Sequence, residues 1–199
     1  MKRAYGLRGY LRQAWATLAG ERAAELAEFA ISVPILVVFV VGTYDFGSAF
    51  TLKQKLNSAA AEGARVASNQ ATTDLSVNGT CGAPASICVV RDVVDSYLTA
   101  SNVRDCGLNT VTASPAGTLA WKFDTTCPGA LHLQIERGTW YATTLADPFS
   151  SGEYRIEATK ITLIYPYQWQ FSRVISLLAP GANYTGSQIT VTAQMQNVN

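Results

Sequence analysis

The stretch AEFAISVPILVVFVVGTYDFGSAFTLKQKLNSAAAEGARVAS, residues 27–68, decides how the rest of the chain is read. From Phe29 to Tyr44 it carries no charge. As a helix these sixteen residues rise about 24 Å, slightly less than the thickness of a bilayer core. Continuing through Asp45 to Leu52 completes the span, which places the membrane part at about 29–50. Beyond it Leu52, Leu56, Ala60 and Ala64 share one face at i, i+4 spacing, and Lys53, Lys55, Glu62 and Arg65 are left for solvent. One long helix over 24–69 is expected, with Gly63 a weak point costing about 1 kcal/mol relative to alanine.

Working outward, residues 1–23 read as a basic leader: Lys2, Arg3, Arg8, Arg12 and Arg22 stand against Glu21 alone. Cations before an apolar segment and few after it predict a cytoplasmic N-terminus, with residues 70–199 beyond the inner membrane. A secretory signal would end in a small-residue cleavage site after the apolar run. Here the run passes into TYDFGSAFTLKQKL, which continues in helical style, so a retained single-pass anchor is expected.

The chain has 199 residues, enough for one cored domain and the anchor. It is 48% hydrophobic and 15% charged, with a net charge of +1. That balance argues against disorder and against electrostatic nucleic-acid binding. The four cysteines, Cys81, Cys88, Cys106 and Cys127, form no Cys-x-x-Cys pair, and His132 is the only histidine. A zinc site would need closer clusters, so no metal and no cofactor are expected. An even cysteine count after an anchor points to disulfides in an oxidising compartment. Of the three possible pairings, Cys81–Cys88 with Cys106–Cys127 is the expectation.

Residues 71–87 are loop-like in composition. CVVRDVVDSYLTA, 88–100, predicts a short helix with Val89, Val90, Val93, Val94, Tyr97 and Leu98 on one face and Arg91, Asp92 and Asp95 opposite. Strand patterns follow. Leu131, Leu133 and Ile135 alternate with polar residues, as do Ile161, Leu163, Tyr165 and Tyr167, and then Ile189, Val191, Ala193 and Met195. Pro166 should end its strand or lie on an edge. The turn residues at 179–187 should link the last two strands. The expected fold class is α+β: a long N-terminal helix, a short helix and an antiparallel sheet of about four strands.

Several landmarks occur in order: Glu28-Phe29-Ala30, Pro34, Asp45-Phe46-Gly47 and Glu62-Gly63-Ala64-Arg65. Together with the closing pair ITLIYPYQW and ITVTAQMQN, they resemble the TadE-like family of tight-adherence (Tad) pilus systems. The resemblance implies a pilin-like minor pilin or pseudopilin. Such a subunit is cleaved on the cytoplasmic side by a membrane-embedded prepilin peptidase and packs through its helix against other pilins. It also implies contact with the lipid bilayer and the inner-membrane assembly platform, and a C-terminal domain in the periplasm or on the pilus. Substrates of that peptidase carry Gly or Ala before the cut and a Glu five residues after it, beside an aromatic. Glu28 and Phe29 fit, which puts the cut at Ala23–Ala24, with Gly20–Glu21 the alternative. In that reading Glu28 recognises the peptidase and pairs with a neighbouring subunit's N-terminal amine, since a carboxylate at the membrane edge needs a partner. Pro34 kinks or locally unwinds the helix. Asp45 lies at the outer interface or pairs with a partner subunit.

An enzyme is not expected: there is no Gly-x-Ser-x-Gly, no His-Glu-x-x-His and no phosphate-cradling glycine loop. The alternative is a membrane-anchored binding or adhesion module, with Trp140, Tyr141, Trp169 and Phe171 as contacts.

Overall fold

Helix α1, Glu21–Ser68, is the longest element of the computed structural model, which describes residues 21–126, 130–144, 153–169 and 186–198. Helix α2 follows at Ala85–Ala100, then a single 3-10 turn at Leu108–Thr110. The strands are β1 Ser114–Gly117, β2 Ala120–Asp124, β3 His132–Thr144, β4 Glu153–Tyr167 and β5 Ser187–Gln196. They form one antiparallel sheet in chain order, β1-β2-β3-β4-β5. The chain divides into two units. One contains the described residues 21–46, the other Gly47–Trp169 with the C-terminal strand.

The sheet has five strands rather than about four. The addition is the β1–β2 hairpin, where Ser114 faces Lys122 and Pro115 faces Trp121. In β2, Trp121 and Phe123 point inward and alternate with half-buried Ala120, Lys122 and Asp124. That alternation was legible, but five residues make a short signal. Its partner Ser-Pro-Ala-Gly reads locally as a turn and becomes a strand only through pairing. The three longer strand patterns lie as expected, with Leu133, Ile135, Ile161, Leu163 and Val191 buried. Pro166 falls beyond Ile164, the last β4 residue paired with β3, so its missing N–H interrupts no second ladder. Trp169 closes that end: its Nε1 donates to Ser187 Oγ at 2.6 Å and its ring meets Tyr167 edge-on at 4.9 Å. Phe171 and residues 179–185 of the expected turn lie outside the described residues.

Against this sheet pack the small face of α1, Ala59, Ala60, Ala64 and Ala67 with Leu56, and the inner face of α2, Ile87, Val90, Val94 and Leu98. The α2 face is rotated from its sequence reading. Val89 is 43% exposed, while Arg91 and Asp95 are buried. Residues 87, 90, 91, 94, 95 and 98 form the true helical stripe. Arg91 is tolerated there because its donors are occupied. Nη1 donates to the Val111 carbonyl at 3.0 Å, Nε and Nη2 donate to Asp92 Oδ1 at 2.9 and 2.7 Å, and the guanidinium lies 5.8 Å from the Phe123 ring centre. At the other end of α2, Asp74 Oδ2 accepts the Ser86 N–H at 3.2 Å, an anion on a helix N-terminus.

Cys81 and Cys88 form a disulfide that fastens the preceding loop to the first turn of α2. Cys106 is also disulfide-bonded, while Cys127, its expected mate, lies outside the described residues. Replacing Cys81 and Cys88 together by alanine is expected to cost about 2–3 kcal/mol, the loop-closure contribution of so short a ring. Urea midpoints of the full chain in detergent, with parent and variant side by side, measure it. An unchanged midpoint would show that the loop is held by packing alone.

Candidate functional site

The first half of α1 exposes most of its apolar side chains. Leu26, Phe29, Leu36, Phe39, Val40 and Phe46 are all exposed. A helix that packs on a soluble core shows polar residues on its outer face; this one shows hydrocarbon there, while positions 38, 41, 42, 45, 48 and 49 form one partly covered stripe. From Ala24 to Ser68 it is long and apolar enough to cross a membrane. Two of its hydroxyls are satisfied internally, as hydrocarbon surroundings favour: Thr43 Oγ1 donates to the Phe39 carbonyl and Thr51 Oγ1 to the Gly47 carbonyl, both at 2.9 Å. Pro34 lies inside the helix and lacks the N–H that would bond the Ala30 carbonyl.

Ala24, Glu25, Glu28 and Phe29 are exposed on this helix. The Ala23–Ala24 bond lies within α1, three residues past its first described residue, Glu21; Gly20 lies outside the described residues. Asp45 behaves differently. Its side chain is 1% exposed and takes part in polar contacts, between Tyr44 and Phe46, which are both exposed.

The two glycines of the stretch have opposite surroundings. A Cβ on Gly47 would meet nothing within 4 Å. A Cβ on Gly63 would stand 2.7 Å from Val94 Cγ2 and 3.0 Å from Ile161 Cδ1. Gly63 is therefore a point of close approach of α1 to α2 and β4, a use that its local helical cost does not show. Beside it Ala64 is buried, and Glu62 and Arg65 pair on the outer surface at 2.5 Å. The hydrogen bond between them holds the Glu62 carboxyl below its ordinary range and raises Arg65. Glu-Gly-Ala-Arg is thus two small residues facing inward between two charges facing outward.

Residues 23–65 match the TadE-like protein family. No curated protein and no solved structure matches the chain. The TadE-like segment begins at the expected cleavage bond and ends at Arg65, so it takes in both the exposed apolar half of α1 and the close-packed Gly63 half. The sheet and the disulfides lie outside it.

His132 on β3 pairs with Asp124 on β2, which also takes Lys122 at 2.9 Å. Burial raises the Asp124 carboxyl, but hydrogen bonds from Lys122 and His132 outweigh it and hold the group below its ordinary range. Among the described residues no three His, Cys, Asp or Glu converge to hold a metal ion. The side chains of Trp140 and Tyr141 lie outside the described residues.

Sequence reading passed over Arg137. It precedes a bulge at Gly138, whose φ of 72° only glycine adopts readily. Arg137 continues the inward series Leu131, Leu133 and Ile135, and there Nη1 donates to Ser86 Oγ at 2.8 Å and Nη2 to the Gln70 and Ala67 carbonyls at 2.8 and 3.5 Å. One guanidinium so joins the end of α1, the start of α2 and β3. Burial lowers its pKa, opposed by the charges of Asp74 and Glu157.

Asp95 is a further buried charge, and its Oδ1 has no hydrogen-bond partner. Burial, then the charge of Asp105 and a hydrogen bond shared with it, raise its pKa, while a backbone N–H from Asn109 opposes them. A raised folded pKa means that the stability Asp95 contributes is complete at acid pH and is lost as pH rises through the folded value. Asp95→Asn should therefore stabilise the chain at neutral pH and change little below the ordinary aspartate range. Urea midpoints at the two pH values test this, and equal shifts at both would contradict it.

Proposed function

We propose that this chain is a minor pilin or pseudopilin of a Tad-type pilus, anchored by α1 in the inner membrane with residues 70–199 on the far side. The observation that carries the reading is where the TadE-like match falls: on a helix whose first half presents hydrocarbon to its surroundings and whose second half is locked to a folded domain at Gly63. Such a helix suits exchange between two apolar environments, lipid and the helices of neighbouring pilins. Exposed Gly47, with open space at its missing Cβ, gives a neighbouring helix room for close approach.

In this reading residues 1–23 are a leader removed by prepilin peptidase at Ala23–Ala24, with Gly20–Glu21 the alternative. Glu28 and Phe29 present the recognition pair, and afterwards Glu28 answers the new N-terminal amine of another subunit. The partners are other pilins and minor pilins and the assembly platform. The chain initiates, caps or assists the filament and performs no catalysis.

The test is the N-terminal mass of the chain in cells with and without the peptidase. Loss of the leader only where the peptidase is present is expected, leaving Ala24 as the first residue. A first residue of Glu21 would move the recognition role to Glu25. A chain that keeps Met1 in both strains overturns the reading.

A further inference from the structure

The two edges of the sheet are built differently. At one, β1 has only four residues, contains Pro115 and is broken by a register shift before Gly117. A short, kinked, proline-bearing edge offers little to an incoming strand. At the other, β5 runs ten residues, Ser-Gln-Ile-Thr-Val-Thr-Ala-Gln-Met-Gln, without a charge, a proline or a bulge. Every one of them is in continuous register with β4, from Ser187 opposite Tyr167 to Gln196 opposite Ala158. Its outer edge pairs with no strand among the described residues. Natural sheets ordinarily blunt such an edge with lysine, proline or a bulge. None of these devices is present, although the opposite edge has two of them.

We propose that β5 is a pairing edge whose partner is β5 of a second copy of this chain. The strand is complementary to itself when run antiparallel about a two-fold axis at Thr192. In that register Ile189 faces Met195 of the second copy and Val191 faces Ala193 on the inner side. On the outer side Thr190 faces Gln194 and Gln188 faces Gln196. Apolar residues meet apolar ones and amides meet amides or hydroxyls. With no charge between 187 and 196, no like charges are brought together. Shifting the register by one residue would oppose inner and outer faces, so the alternation limits the choice. Met195, 40% exposed on the otherwise covered face, gains an apolar neighbour. An isologous contact of this kind closes on itself and stops at two copies, joining two five-stranded sheets into one of ten.

The proposal rests on the sheet and not on leader processing, so either can fail without the other. It is tested with the full chain in native membranes, carrying a single new cysteine and mildly oxidised. Thr192→Cys brings the two thiols together at the axis, where opposed strand residues are within disulfide reach. Gln188→Cys is the register control, since its two copies would lie about 27 Å apart along the strands. Both positions are exposed, so both variants should fold and resist protease like the parent. A reductant-sensitive homodimer is expected from Thr192→Cys, at least about tenfold more than from Gln188→Cys. Mixing Gln188→Cys with Gln196→Cys chains should restore it. No dimer from Thr192→Cys, equal yields at 188 and 192, or capture of a different chain in place of the homodimer would each overturn the proposal.

Discussion

Replacing Gly63 with valine is expected to lower the unfolding free energy by about 3 kcal/mol, the upper part of the overpacking range. A first carbon alone would lie 2.7 Å from Val94 Cγ2 and 3.0 Å from Ile161 Cδ1, and both of those side chains are fully buried. Ile161 can withdraw a terminal methyl by a change of rotamer. Val94 has no such freedom, because its branched β-carbon is stiff in a helix and its neighbours are close-packed. The alternative is for α1 to move away from α2 and the sheet, which would loosen Ala60, Ala64 and Leu56 together. Alanine makes a sharper comparison. It regains about 1 kcal/mol of helix propensity and loses part of the packing, so it should fall between parent and valine. Urea midpoints of the three chains decide the matter. If alanine and valine both stabilise, helix propensity governs the position and the close approach does not.

Arg137→Met is the second large effect, about 3 kcal/mol of destabilisation. Methionine fills most of the volume but donates nothing. It leaves the Gln70 carbonyl and the Ser86 hydroxyl without this donor, each buried orphan costing about 1–3 kcal/mol, while the Ala67 carbonyl keeps the Gln70 N–H at 3.1 Å. The loss is below the sum because Gln70 is only half-buried and water reaches part of the site. Arg137→Lys keeps the charge but not the planar fork, and a single ammonium cannot reach both helix ends, so it should recover only part of the loss. Amide exchange gives a local readout. Protection should fall first at the end of α1 and the start of α2. A uniform fall across β3 and β4 instead would mean that Arg137 matters to the sheet and not to the junction.

What could be read in advance divides along physical lines. The apolar run from Phe29, the period-two strands and the ordered landmarks of 27–68 are local in sequence, and they foretold the long helix, the strand faces and the TadE-like match. The orientation of α2 was not legible. Arg91 and Asp95 read as solvent-facing because charge is usually excluded from a core. Their burial depends on the Val111 carbonyl, the Phe123 ring and the loop carrying Asp105, residues 10 to 32 positions away. The use of Gly63 was not legible for the same reason. Its helical cost is a local property, but its use is a contact with Val94 and Ile161. Arg137 gave only a faint signal: the Arg-Gly step interrupting an alternating run, which in retrospect marks a bulge.

The sequence by itself determined the anchor-like helix, the α+β order of elements and the polarity of each strand, because hydrophobic period and turn chemistry act over a few residues. Tertiary structure alone decided which face of α2 turns inward, why glycine stands at 63, how one arginine ties three elements together, and that one edge of the sheet is blunted while β5 pairs with no further strand among the described residues. Those outcomes depend on distances between residues far apart in the chain, which no local pattern encodes.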